Sequence, residues 1–93
     1  MFDRILAAMR ERVHRRMYVM TVHAAEEAED DDLTVFDIES CLLTGRIIER
    51  QRDRDTGEWK YLVSGESLAG SPVVVAAKLS ITGKLIIVTV YRG

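Results

Sequence analysis

Pro72-Val73-Val74-Val75-Ala76-Ala77-Lys78 and Lys84-Leu85-Ile86-Ile87-Val88-Thr89-Val90-Tyr91-Arg92 decide the fold of this chain. Both runs are rich in β-branched residues, and Ser80-Ile81-Thr82-Gly83 between them is a turn signal. They read as two adjacent antiparallel strands. Nearly every position is apolar, so the pair is expected at the centre of a sheet, covered on both faces. Upstream, residues 46–54 and 58–65 flank Asp55-Thr56-Gly57, a hairpin signal. Ile47-Ile48 followed by Arg50, Arg52 and Arg54 suits an edge strand, where charge discourages pairing with another chain.

Before Gly45 the period is that of a helix. Over residues 2–17, Phe2, Ile5, Leu6, Met9, Val13 and Met17 form one apolar stripe at spacings of three and four. Tyr18-Val19-Met20-Thr21-Val22 is β-branched and aromatic, a short strand or an extended entry. Thr21 is placed to cap a helix over residues 23–29. Thr34 with Asp37 resembles a capping box, opening a helix over Val35–Thr44. Gly45 then suits a left-handed residue after the helix end. The expected fold class is α+β: N-terminal helices packed on a four-stranded antiparallel meander sheet, in one domain of residues 1–93. Residues 1–17 are its N-terminal helix and 18–92 its α+β core.

At 93 residues there is material for one core, burying roughly 60–65% of the surface the unfolded chain exposes. One cysteine, Cys41, forms no intrachain disulfide, which points to a reducing, cytoplasmic compartment. No apolar run approaches the ~20 residues that span a bilayer, so no membrane is expected as a partner. The net charge of −2 is unevenly spread. Residues 1–20 hold five arginines against Asp3 and Glu11, residues 21–45 hold eight acids and no base, and residues 46–93 hold eight bases against five acids. The overall balance counts against tight nucleic-acid binding, while the basic blocks leave it open.

Two histidines and one cysteine do not make a structural zinc site, and Glu26–Asp32 lacks the alternating ligands and turning glycine of a calcium loop. No metal and no cofactor are expected. No glycine-rich phosphate loop opens a helix. Cys41, between Ile38 and Leu42, reads as a small buried hydrophobe, and His14 as a solvent-exposed residue. His23, at a helix entry, has the imidazole that titrates near neutral pH. Arg46, Arg50, Arg52 and Arg54 alternate along one strand, so Arg50, Arg52 and Arg54 point to one face, with some of Trp59, Lys60 and Tyr61 facing them across the hairpin. Guanidinium groups bind phosphate and aromatic rings stack bases, so this face suits RNA; the bland alternative is a solvated edge paired with Asp53, Asp55 and Glu58.

Several signatures then fall in order: Thr21-Val22-His23-Ala24, a helix ending Leu42-Leu43-Thr44-Gly45, Ile47-Ile48-Glu49-Arg50, Tyr61-Leu62-Val63-Ser64-Gly65, Pro72-Val73-Val74-Val75 and Thr89-Val90-Tyr91. Over residues 18–92 this order resembles the bacterial family known as domain of unknown function 4258. The resemblance implies a fold similar to the barnase–EndoU–colicin–RelE ribonuclease superfamily. It implies a metal-independent endoribonuclease of toxin–antitoxin type, with a cognate antitoxin protein as partner. The family's recurrent polar residues fall on His23, Glu49, Arg50, Tyr61, Thr89 and Tyr91. In the implied chemistry His23 or Glu49 takes the 2′-hydroxyl proton, Arg50 stabilises the phosphorane, and Tyr91 or Tyr61 orients or protonates the leaving 5′-oxygen. Arg46, Arg52, Arg54, Tyr61 and Thr89 are the matching RNA contacts. This reading expects His23, Arg50 and Tyr91 to converge on one concave surface.

The chain departs from the family pattern in two places. Acids Glu26, Glu27, Glu29, Asp30, Asp31 and Asp32 stand where the family has basic residues, and Pro72-Val73 carries no histidine. These departures motivate the alternative, a non-catalytic interaction module that binds a protein partner or forms a homodimer through its first helix. They also raise a third idea, that Glu26–Asp32 folds over the basic strand face and blocks it.

Overall fold

The structure, a computed structural model, describes residues 1–93. Its elements are α1 (Asp3–His14), β1 (Tyr18–Met20), α2 (Val22–Asp30), α3 (Val35–Thr44), β2 (Arg46–Arg52), β3 (Trp59–Glu66), β4 (Pro72–Leu79) and β5 (Leu85–Arg92). The class is α+β, and β2 to β5 form the expected antiparallel meander. The sheet is nevertheless five-stranded and mixed, in the order β1-β5-β4-β3-β2. β1 adds in parallel to β5, with Tyr18 opposite Leu85 and Met20 opposite Ile87. The segment reads as a short strand or an extended entry, but the four-stranded expectation left it out because nothing local names its partner, the last strand of the chain.

The expectation that β4 and β5 are covered on both faces is also corrected. Met9 and Val13 of α1, Ala24 and Ala28 of α2, and Ile38, Cys41 and Leu42 of α3 share one core with Tyr61, Val63, Val73, Val75, Ala77, Leu85, Ile87 and Val90. The strand residues in this set occupy a single face, since cross-strand partners point the same way. Val74 and Ala76 point to the other face, which carries no helix. They are buried outside that core, between Ser64 and Tyr91 and between Leu62 and Thr89 respectively. Small side chains there are shielded by their cross-strand neighbours, so an apolar run did not require a second layer.

The helix starts follow the sequence. Thr21 Oγ1 accepts the Ala24 N–H at 3.1 Å. Thr34 and Asp37 form a reciprocal capping box, with Asp37 Oδ2 accepting the Thr34 N–H at 2.9 Å. Those hydrogen bonds, joined by one from the Leu68 N–H, hold the Asp37 carboxyl below the usual range. Gly45 does not take the left-handed conformation expected of it: φ is −89°. Close approach is its reason, since a Cβ there would stand 2.5 Å from the Ser64 carbonyl oxygen and 2.6 Å from that of Cys41. A Cβ on Gly65 would collide with the same Cys41 carbonyl. These two glycines let the end of α3 lie directly on β3.

α1 is shorter than the apolar stripe predicts, because Arg16 turns the chain with φ +55°. The stripe faces inward: Met9 and Val13 are buried, and Phe2, Ile5 and Leu6 pack on the core. The apolar stripe is thus used inside the protomer. Arg10 fastens α1 to the end of α3, donating from Nε to the Leu42 carbonyl at 3.1 Å and from Nη2 to that of Gly45 at 2.6 Å. Both carbonyls lie where a helix end leaves acceptors without intrahelical partners. No helix is long and apolar enough to cross a membrane.

Candidate nucleic-acid interface

Of the arginines expected on one face, Arg50 and Arg52 share it and Arg54 does not. The β2–β3 register slips between Ile47 and Glu49, leaving Ile48 as an extra residue, 53% exposed. Arg46 is therefore opposite Ser64 and Glu49 opposite Leu62, on the face without helices, whereas Arg50 is opposite Tyr61 and Arg52 opposite Trp59, on the helix face. A bulge reverses every side chain beyond it, which simple alternation cannot foresee. Arg54 lies in the turn after β2 rather than on the strand. There Asp53 Oδ1 accepts the N–H groups of Asp55 and Thr56 at 2.8 and 3.2 Å, and these hold its carboxyl below the usual range.

On the helix face, past the end of α1, an aromatic and cationic group assembles. The Arg50 guanidinium carbon is 3.9 Å from the centre of the Trp59 indole and 6.0 Å from that of the Phe2 ring. Arg52 is 4.8 Å from the same indole, and its Nε donates to the Gly57 carbonyl at 3.1 Å. Phe2 meets Tyr61 edge-on, with ring centres 5.7 Å apart. Trp59 remains 37% exposed, while Tyr61 is buried and serves as the floor. Phe2 escaped the sequence reading because it appears there only as one member of a helix stripe.

The cations of this edge make no ion pair, although Glu49, Asp53, Asp55 and Glu58 are interleaved with them and Lys60 acts at longer range on Asp53. The molecule's ion pairs are Arg12 and Arg15 with Glu11, His23 with Glu27, and Lys78 with Glu58. None engages Arg46, Arg50, Arg52, Arg54 or Lys60, so the edge is not the carboxylate-paired strand of the bland alternative. Asp53 is occupied by its turn, and Glu58 takes Lys78 at 3.2 Å.

The residues expected to act together are distributed. His23 is the second residue of α2, with its side chain 69% exposed and Nε2 3.3 Å from Glu27 Oε1, which also accepts the Val90 N–H. α2 lies against β5 and β1, whereas Arg50 is on β2, three strand spacings or roughly 14 Å across the sheet. Tyr91 is opposite Val74, on the other face of the sheet. His23, Arg50 and Tyr91 thus do not converge. For the same reason the acidic Glu26–Asp32 segment does not fold over the basic strand. It lies at the opposite side of the sheet, where Arg92 Nη2 donates to the Asp31 carbonyl at 2.6 Å.

Four of the expected residues do share the uncovered face. Glu49, Leu62, Ala76 and Thr89 form one cross-strand row, and Arg46, Ser64, Val74 and Tyr91 the next. Each row runs from β2 to β5, so Glu49 stands roughly 14 Å from Thr89 and Arg46 as far from Tyr91. Glu49 accepts a hydrogen bond from Gln51. Cys41 is buried with its Sγ 3.2 Å from the Val73 carbonyl, and burial pushes the thiol up to about 11, so it is the inert hydrophobe the sequence suggests.

No curated protein and no solved structure matches the chain. Residues 20–92 match the model of the family described as Domain of unknown function (DUF4258), a span that takes in the whole sheet except the first two residues of β1 and leaves α1 outside. The chain belongs to this family.

Proposed function

We propose that this protein is a module that binds single-stranded RNA along its β2–β3 hairpin without cleaving it. The observation that carries the reading is the Arg50 guanidinium stacked 3.9 Å from the Trp59 indole with no carboxylate partner. A stacked guanidinium keeps its N–H edges free for phosphate and offers its plane to a base. Arg52 on the same face and Arg54 in the adjoining turn add positive charge beside it, while Arg46 and Lys60 sit on the opposite face of the hairpin. Cations beside an exposed aromatic are the combination that sequence-tolerant single-strand binders use. Six of the eight acids of residues 21–45 lie on or just after α2, against β5 and roughly 14 Å across the sheet from β2, beyond about one Debye length at physiological salt. Glu49, Asp53, Asp55 and Glu58, in contrast, lie within the hairpin, and residues 46–60 carry five bases against four acids, a net charge of +1.

The test is fluorescence anisotropy of a labelled RNA oligonucleotide, run with a denaturing gel of the same mixture in chelator. Binding that weakens as salt rises, with intact RNA on the gel, is the expected result. Absence of binding at low salt removes the reading.

A second reading keeps the ribonuclease chemistry of the toxin-like superfamily, with a cognate antitoxin as partner. It is favoured by one observation, that Arg46, Glu49, Thr89 and Tyr91 share the uncovered sheet face. Chelator-resistant cleavage abolished by Glu49→Ala or Tyr91→Phe supports it over the first. Neither His23 nor Arg50 belongs to that face, so His23→Ala leaves such cleavage in place.

A further inference from the structure

Beside the stacked arginine lies a cleft of about 270 Å³ lined by Met1, Phe2, Asp3, Leu6, Arg46 and Ile47. It is slightly smaller than the ~300–1,000 Å³ sites of drug-sized ligands, a size that suits one flat ring system. Its lining combines the Phe2 ring, the apolar residues Met1, Leu6 and Ile47, and the charged residues Asp3 and Arg46, neither of which makes an ion pair. Phe2 belongs to this cleft and to the aromatic group under Arg50, whose guanidinium is 6.0 Å from its ring.

We infer that this cleft takes a single unstacked guanine of the bound RNA strand. The inference rests on the single-strand-binding reading above and adds a base preference to it. An apolar slot with an aromatic wall accepts any base by stacking; the carboxylate makes the choice. Asp3 has only acceptors when ionised. Guanine alone presents two adjacent donors, N1–H and the N2 amino group, on its Watson–Crick edge, and these match both oxygens of one carboxylate. Adenine, cytosine and uracil each offer one donor beside an acceptor that faces the carboxylate unfavourably. Arg46 and Arg50 flank the slot and supply the charge for the adjoining phosphates. Four of the six lining residues belong to the N-terminal segment outside the family match.

The experiment compares two labelled heptamers, one all adenine and one with a single central guanine, by anisotropy at fixed low salt. The wild type is expected to bind the guanine heptamer roughly tenfold tighter, the scale of one bidentate base contact. Asp3→Ala is expected to bind both heptamers alike, and Phe2→Leu to weaken both while keeping the fold, as checked by thermal unfolding. Equal wild-type binding of the two heptamers overturns the guanine inference and leaves the RNA reading standing. A guanine preference that survives Asp3→Ala overturns the assignment of this cleft. No binding of either heptamer overturns the RNA reading itself.

Discussion

Arg50 and Trp59 are diagonal neighbours on the two strands of one hairpin, and the guanidinium carbon lies 3.9 Å from the indole centre. A cation over an indole is worth about 0.5–1 kcal/mol at an exposed site. That is enough to hold the side chain flat without neutralising it. The pair therefore separates two contributions to RNA affinity, charge and stacking, that substitutions can resolve.

Trp59→Ala is expected to weaken RNA binding roughly tenfold while leaving its salt dependence unchanged, because a ring stack is worth about 1–3 kcal/mol and carries no charge. Arg50→Ala is expected to weaken binding and to flatten the plot of log affinity against log salt by about 0.7, one phosphate contact on a single strand. Arg50→Lys keeps the slope and loses the planar stack. Anisotropy across a salt series reads all three, and identical slopes for wild type and Arg50→Ala contradict the assignment.

The contact of α3 with β3 depends on two missing side chains. Gly65→Ala drives a methyl group into the Cys41 carbonyl, and Gly45→Ala places one 2.5 Å from the Ser64 oxygen. Each is expected to cost about 1–3 kcal/mol, the range of overpacking, as a lower urea midpoint with unchanged slope. An unchanged midpoint means the helix lifts from the strand without cost.

Arg10→Met keeps the aliphatic stem and removes both donors to the Leu42 and Gly45 carbonyls. A loss of about 1–3 kcal/mol in unfolding free energy is expected, the value of hydrogen bonds to a charged group. Faster amide exchange in the last turn of α3 accompanies it if the cap, rather than general packing, is what was lost.

Tyr18 gives a pH signature. Burial, with a hydrogen bond from its hydroxyl to Glu39 second, pushes the phenol up to about 12. The unfolded chain ionises this group near pH ~10. Its contribution to stability is thus complete below that pH and is lost as pH rises toward the folded value of about 12. Wild type is expected to lose stability more steeply than Tyr18→Phe across this window in denaturant titrations. Parallel curves for the two proteins contradict the assignment.

The elements with strong local signals were legible. Thr34 with Asp37, Thr21, the stripe of α1 and the runs of β4 and β5 each announce themselves through capping chemistry or period. What escaped was set by long-range pairing. β1 is legible as a short strand or an extended entry, but its parallel pairing with β5 is not. Alternation correctly puts Arg50 and Arg52 on one face, but the bulge at Ile48 sets Arg46 on the other and β2 ends before Arg54. His23 was legible as a helix-entry histidine, yet its distance from Arg50 follows from strand order, which no local pattern encodes. Phe2 joined the candidate site because α1 crosses to the β2 edge, a packing fact that the stripe alone leaves open.

The most direct test of the account is a nitrogen-15 NMR titration of the intact chain with a short single-stranded RNA. The account places the shifts on the Trp59 indole N–H, the Arg50 and Arg52 amides and the segment around Phe2, with α2 unmoved. Shifts confined to Glu49, Thr89 and Tyr91 on the uncovered face, or to His23 and its helix, would contradict it, as would a spectrum unchanged by RNA.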